Sequence, residues 1–328
     1  MMQVRQVGQT DIFITPIILG AWALGGWMWG GCDETDSIDA IRAALDAGIN
    51  CIDTAAVYAQ GYSEELIGKA IRDIPRDRIV LATKCGRRWD DPQQAGSGAF
   101  ETFDRNGRPI TIRSNSRPES IKFECEQSLR RLGTTYIDLF QIHWPDLTTP
   151  LEDSLAAMES LRREGKIRAV GVSNFSVELL RQATAIGALA SVQPPYSLLR
   201  RDIEKDLLPF CRENHISVLA YSPLERGLLT GNVGPDRQFK PGDHRSKHKL
   251  FDVENRRKVL SALEKIRPIA DKYHSSLAQV VLNWTIKQPG VTAAIAGARN
   301  AQQARYNAGA MHFELADADI RQVGAAFE

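Results

Sequence analysis

Short apolar, β-branched runs recur along the chain, and a segment with helical periodicity follows each one. The runs are Ile17–Leu19, Cys51–Asp53, Ile79–Thr83, Ile137–Ile142, Ala169–Val172, Ser191–Gln193, Ser217–Tyr221 and Thr292–Ala296. None alternates strictly between apolar and polar residues. Each therefore reads as a strand buried on both faces, which is the environment of a parallel sheet. Parallel neighbours need a crossover between them, and a helix supplies it. Eight such units with no linker-like stretch among them predict an α/β fold. Its expected form is a closed (β/α)8 TIM barrel rather than two open sheets. The 328 residues are read as a single barrel domain, 1–328, with insertions.

The intervening segments carry helix punctuation. Thr149 reads as an N-cap, with Pro150 in the first turn and Glu152 completing a capping box. Leu151, Leu155, Met158 and Leu161 then share a face, and Gly165 ends the helix. Thr35–Gly48 repeats the scheme with Ile38, Ile41 and Leu45. Ser63, followed by Glu64 and Glu65, opens another helix, its acids favoured at the positive end. Arg117–Leu132, Ser176–Ile186, Ile203–Glu213, Ser275–Lys287 and Asn300–Gly309 supply the rest. Ahead of the first strand, Val4–Val7 and Ile12–Thr15 flank Gly8-Gln9-Thr10-Asp11, a small hairpin placed to plug the barrel floor.

Two stretches break the rhythm. Cys85–Ser116 follows the third strand and carries a hairpin signal with Asn106-Gly107 at its turn. Glu225–Asp252 follows the seventh strand and is rich in Gly, Pro and charge. Both leave strand C-termini, the face where barrel enzymes keep their sites, so both are expected to be lids.

Bulk chemistry narrows the partners. A hydrophobic content of 43% with 25% charged residues is that of a globular chain with a sizeable core. The formal net charge is +1 and no basic face stands out, so neither nucleic acid nor an anionic membrane is expected as a partner. Five cysteines stand singly with no C-x-x-C, which fits a reducing compartment. The N-terminus lacks an apolar targeting core and no run is long enough to span a membrane, so the expected location is cytoplasmic. An oligomer is compatible with the sequence, which leaves the assembly state open.

Four side chains fall where a barrel performs chemistry. Asp53 ends the second strand, Tyr58 follows it in the loop, Lys84 ends the third strand and His143 ends the fourth. Carbonyl reduction needs this set. A hydride arriving at carbon leaves an alkoxide that must be protonated. Tyr is a workable acid if its reference pKa of roughly 10 is lowered, and a nearby ammonium does this. A carboxylate keeps that ammonium charged and in place, and an imidazole can hydrogen-bond the substrate oxygen. Singly, the Asp reads as well as a turn or helix cap, the Lys as a solvated charge and the His as a satisfied core residue. Jointly, they end neighbouring strands in the required chemical types.

The chain resembles the aldo-keto reductase superfamily over essentially its whole length, most closely its bacterial, potassium-channel β-subunit-like branch. The motifs are DTAAVY (Asp53–Tyr58), SEELIGKAI, IVLATK ending at Lys84, YIDLFQIHWPD containing His143, GKIRAVGVSNF, VQPPYSLL, LAYSPLERGLLTG and AIAGARNAQQARYN. The resemblance implies Tyr58 as proton donor, Asp53 and Lys84 as its tuning pair, and His143 positioning the carbonyl. It implies that Ser173, Asn174 and Gln193 hold a nicotinamide carboxamide and that Tyr221 stacks on the ring. Ser222, Leu224 and Gly227 would line the pyrophosphate, with Asp53 also in the cofactor set. Gly297, Arg299, Gln303 and Asn307 would grip the adenosine end. Arg299 lies just before a helix start at Asn300, where a cationic fork suits a 2′-phosphate, so NADP(H) is the expected cofactor over NAD(H). Ala296 departs from the Pro often found before that Gly. The implied activity is reduction of aldehydes or ketones, keto-sugars among them, or oxidation of the matching alcohols. The alternative within the resemblance is a redox-sensing channel β subunit, which the lack of an extra N-terminal tether disfavours. A metal-dependent hydrolase lacks an H-x-H set.

Other features are ambiguous alone. GAWALGGWMWGG has no G-x-G-x-x-G spacing. It reads either as a loop bringing backbone to the substrate or as a turn packing Trp27 and Trp29. Trp22, Trp27, Trp89 and Trp144 map to rim loops, and Trp22 and Trp144 join Tyr58 and His143 as expected substrate contacts. His244 and His248 read as a solvated loop, Arg305 as a solvated helix residue and Cys85 as filler near the site.

Overall fold

A computed structural model describes residues 4–328. Eight barrel strands stand where the apolar runs place them. They are β1 (Ile17–Gly20), β2 (Cys51–Asp53), β3 (Val80–Cys85), β4 (Ile137–Ile142), β5 (Ile167–Ser173), β6 (Ser191–Gln193), β7 (Ser217–Tyr221) and β8 (Val291–Gly297). Each pairs in parallel with the next, and β8 returns to β1, closing the barrel. The strands are almost wholly buried because inner side chains fill the barrel and outer ones meet helices.

The expected helices are α1 (Glu34–Asp46), α2 (Tyr62–Ile71), α3 (Pro118–Leu132), α4 (Leu151–Arg163), α5 (Val177–Ile186) and α6 (Leu207–Glu213). Beyond α6 lie α7 (Val253–Lys265), α8 (Arg267–Lys272), α9 (Leu277–Lys287), α10 (Ala301–Ala308) and α11 (Asp317–Ala325). Of these, α7, α8 and α11 were outside the expected set. Two expected starts also shift. Thr149 does not cap α4, because its hydroxyl donates to Asp146 Oδ2 at 2.8 Å and Pro150 holds the cap position without a side-chain bond. The helix expected from Ile203 begins at Leu207, after a short 3-10 turn at Asp202–Glu204. No helix among the described residues is long and apolar enough to cross a membrane.

The floor is closed by the N-terminal hairpin, where Arg5–Gln6 pairs with Phe13–Ile14. Its Val7, Ile12 and Ile14 join Ile18, Cys51, Ala82, Leu139 and Leu219 in one apolar cluster. Gly8 has φ +55 and a Cβ there would lie 2.7 Å from the Ala190 carbonyl oxygen, so this close approach requires glycine. Beside the plug, Asp138 of β4 takes Arg76 Nη2 and Arg168 Nη1, each at 2.6 Å, and the Leu81 N–H at 2.9 Å.

At the opposite rim the first insertion is a hairpin. Ser97–Phe103 pairs with Pro109–Ser114, and Arg87–Arg88 adds a third strand. Asp104 Oδ1 accepts from Asn106 N and Arg108 N at 2.8 Å each, and Gly107 turns at φ +80. Trp27 Nε1 donates to Phe103 O at 2.7 Å, tying this hairpin to the loop after β1. The second insertion is a series of short turns docked on the same loop, with His244 N donating to Met28 O at 3.0 Å.

Candidate active site

Backbone strain marks the rim. Of the ten non-glycine residues with positive φ among the described residues, eight lie in loops that leave strand C-termini: Met28, Ala59, Gln60, Gln94, Asn174, Ser222, Glu225 and Arg226. Such conformations cost about 1–3 kcal/mol each and persist where surrounding structure enforces them, commonly at functional sites. Ala59, Gln60 and Gly61 reverse the chain directly after Tyr58, so its ring stands at the barrel mouth instead of entering α2.

The four expected residues converge. Lys84 and Asp53 are only 1% and 3% exposed. Lys84 Nζ donates to Asp53 Oδ1 and to the Thr54 carbonyl, both at 2.7 Å, and lies 3.5 Å from the Tyr58 hydroxyl. The Tyr58 and His143 rings meet edge to face with centroids 5.7 Å apart. Burial, with help from the nearby Lys84 and Arg87 charges, holds His143 well below its usual 6.5, so it is neutral at pH 7 and one ring nitrogen carries a proton. Burial also lowers Lys84, while Asp53 opposes that fall.

Tyr58 departs from expectation. Burial first and the Asp53 carboxylate second push its phenol well above 10, where the ammonium alone would have lowered it. Burial is the larger cause, and because Asp53 pairs with Lys84 the ammonium does not offset it. Tyr58 therefore keeps its proton through neutral pH until a stronger base arrives.

Around this centre, Gln193 Nε2 donates to Asp53 Oδ2 at 2.7 Å. Ser173 Oγ donates to Gln193 O at 2.8 Å, and Asn174 Nδ2 donates to His143 O at 3.0 Å. Tyr221 donates through its hydroxyl to Asn174 Oδ1 at 2.9 Å. Ser173, Asn174, Gln193 and Tyr221 thus form one network reaching from Asp53 to the end of β7. Burial raises Tyr221 to about 12.

Further round the rim lie the loops that leave β7 and β8. After β7, Ser222 and Gly227 have φ +56 and +93, and a Cβ on Gly227 would meet nothing nearer than Arg245 Nη1 at 3.7 Å. Arg226 lies in this loop over the Trp22 ring at 5.6 Å, and its Nε and Nη1 are buried without a partner among the described residues. Neither Arg226 nor Thr54 was singled out from sequence. At the end of β8, Asn307 Nδ2 donates to Gly297 O at 3.0 Å. Gln303 Oε1 accepts from Arg299 N at 2.9 Å, and Arg299 Nη2 donates to Gly31 O at 3.1 Å. Asn300 caps α10 there through Gln303 N. Arg305 is exposed.

The aromatic residues divide. Trp22, Trp29 and His244 form a cluster with centroids 5.0–5.2 Å apart, so His244 is not the solvated loop residue expected. His248 packs on Phe251 and accepts from the Leu250 N–H at 3.2 Å. Trp27 is buried in the cluster against which Tyr58 and Trp89 also pack. Trp144 is 44% exposed. Trp89 and Ile110 also line a cavity of about 670 Å³ in the hairpin insertion, with Phe103, Arg88 and Arg113. Cys85 is buried and its thiol is pushed up by desolvation, consistent with filler.

Fold and rim define a class: a parallel (β/α)8 barrel whose C-terminal mouth brings Asp53, Tyr58, Lys84 and His143 together. The model of the aldo/keto reductase family matches residues 16–328, and the chain belongs to that family. It is 40% identical to the aldo-keto reductase YhdN of Bacillus subtilis (strain 168), across 92% of this chain and 86% of that one. It is 39% identical to the NADH-specific methylglyoxal reductase of Escherichia coli (strain K12), across 98% of each. Among solved structures it is similar to the glycerol dehydrogenase AKR11B4 from Gluconobacter oxydans, with TM-score 0.85 and 38% identity over 99% of this chain and 94% of that one.

Proposed function

We propose that this chain reduces small aldehydes and ketones, keto-sugars among them, to alcohols with NADP(H), and that Tyr58 supplies the proton. The observation that carries the reading is the buried Lys84 ammonium held between the Asp53 carboxylate and the Tyr58 hydroxyl. The nicotinamide, when bound, supplies the hydride. Ser173, Asn174, Gln193 and Tyr221 would hold its ring end, Ser222, Leu224 and Gly227 its diphosphate, and Gly297, Arg299, Gln303 and Asn307 its adenosine end. Trp22 and Trp144 would flank the substrate.

The substrate oxygen accepts a hydrogen bond from neutral His143 and faces the Tyr58 hydroxyl. As the carbonyl carbon gains hydride, its oxygen becomes an alkoxide, a base strong enough to take the proton even from a phenol raised by burial. The phenolate left behind is stabilised by Lys84, and Asp53 keeps that ammonium charged and placed. Solvent returns the proton to Tyr58.

Arg299 supports NADP(H), because Gly31 occupies only one of its guanidinium nitrogens and the α10 N-terminus adjoins it. The similar Escherichia coli protein is NADH-specific, so the two cofactors belong in one assay. Consumption of NADPH and of NADH is followed over aldehydes, ketones, keto-sugars and, in reverse, polyols. The reading expects turnover of carbonyls with NADPH favoured. Failure to oxidise either cofactor with any carbonyl would overturn it.

A further inference from the structure

Gln141 lies within β4, fully buried, in a strand otherwise built of apolar residues and the floor aspartate. Burying an amide costs about 1–3 kcal/mol unless it is hydrogen-bonded, and an apolar side chain would fill the slot without that cost. Its partners therefore matter. Gln141 Nε2 is 3.4 Å from Asp53 Oδ2, and its Oε1 accepts from Gln193 Nε2, also at 3.4 Å. The register makes room for it. Lys84 pairs with Gln141 on one side and Gly171 pairs with it on the other. A Cβ on Gly171 would come within 2.9 Å of Gln141 Cγ.

These contacts fix the polarity of a second amide. A carboxylate only accepts, so the Gln193 atom at 2.7 Å from Asp53 must be its NH2. Gln141 Oε1 takes up the other side of that NH2. The Gln193 oxygen then faces away from Asp53, with no partner among the described residues. It can accept a hydrogen bond and cannot donate one.

We propose that Gln141 is a positioning residue for cofactor recognition. By anchoring Gln193, it presents the Gln193 oxygen to the N–H2 of a nicotinamide carboxamide. This rests on the nicotinamide reading above. Gln141 touches neither cofactor nor substrate; it acts through Gln193, whose one amide joins the cofactor to the Asp53–Lys84 pair.

The test compares the reduced natural cofactor with its 3-acetylpyridine analogue, in which a methyl replaces the carboxamide NH2. ADP-ribose, which lacks the ring, serves as control. Binding is read by quenching of tryptophan fluorescence in wild type, Gln141→Met and Gln141→Asn. One hydrogen bond is worth about 1 kcal/mol net, so wild type should prefer the carboxamide about five- to tenfold. Both variants should cut that preference to about twofold or less while binding ADP-ribose as wild type does. Asn keeps a buried amide but is too short to reach Gln193, so it covers the case in which Met does not fold. A preference unchanged in the variants would overturn the proposal, as would an equal loss for ADP-ribose. A wild type that binds ADP-ribose and cofactor but shows no preference would overturn it as well. A wild type that binds no dinucleotide would instead sink the reading on which the proposal rests.

Discussion

Asp138 and Asp53 are both buried on barrel strands, and both are paired with cations, at opposite ends of the barrel. At the floor, Asp138 is held by two guanidinium groups and a backbone N–H. Arg76 also donates to the carbonyls of Ile79 and Tyr136, so its bonds stay within the protein. At the rim, the partner of Asp53 is a lysine with a third contact aimed at a tyrosine hydroxyl. Two chemical properties separate the ends. Arginine stays charged in proteins, whereas buried lysine sheds its proton readily. The floor pair is suited to stability and the rim pair to moving a proton.

Removing each carboxylate in turn should separate the two ends most clearly. Asp53→Asn should lower kcat/KM by about 10²–10⁴-fold, since Lys84 loses the charge that opposes its desolvation. Thermal stability should fall little, because Lys84 can become neutral. Asp138→Asn should do the reverse, leaving kcat at 25 °C near wild type but costing about 2–4 kcal/mol in denaturant unfolding. That is a little less than a fully buried pair would cost, because Arg168 is 36% exposed. If both variants lose activity and stability in the same proportion, the two ends are not distinct.

A smaller effect is expected at the adenosine end. Arg299→Ala should weaken NADPH about 10- to 100-fold, the worth of a charge-assisted hydrogen bond, and NADH far less. Titrations of the two cofactors against the variant check it, and equal losses would remove the 2′-phosphate role.

A smaller effect still concerns Glu124, buried behind β3 with its Oε1 accepting from Gly86 N at 2.9 Å. Burial raises its carboxyl to about 8. The folded state then holds a proton that the unfolded state loses above the ordinary 4.5. This contribution to stability is whole below 4.5 and is lost as pH rises through about 8. Glu124→Gln should remove that loss, so its melting temperature should exceed wild type by a few degrees at pH 9 and match it at pH 4.5. Parallel melting curves across the range would contradict the assignment.

What the sequence made legible follows the same division. All eight strands were readable because burial on both faces leaves an unbroken apolar run, and the Asp53, Lys84 and His143 positions follow from strand ends. Less was legible where tertiary contacts decide. Thr149 has the residues of a cap, but Asp146 takes its hydroxyl. The first half of α7 is dominated by charge, which hid the helix behind the charged loop that precedes it. His244 looked solvated because nothing in its neighbours shows that Trp22 and Trp29 fold onto it. The direction of the Tyr58 shift depends on burial and on charge cancellation, neither of which a motif carries. Gln141 did leave a signal: it is a polar residue inside the buried run Ile137–Ile142.

The proposed chemistry depends on Tyr58 giving its proton to the new alkoxide. The most direct measurement is single-turnover reduction by Tyr58→Phe, alongside titration of NADPH binding. Phe keeps the ring packed against His143 and removes only the hydroxyl that faces Lys84. NADPH affinity should stay close to wild type and the reduction rate should fall by about 10²–10⁴-fold. A variant that retained most of the wild-type rate would contradict it.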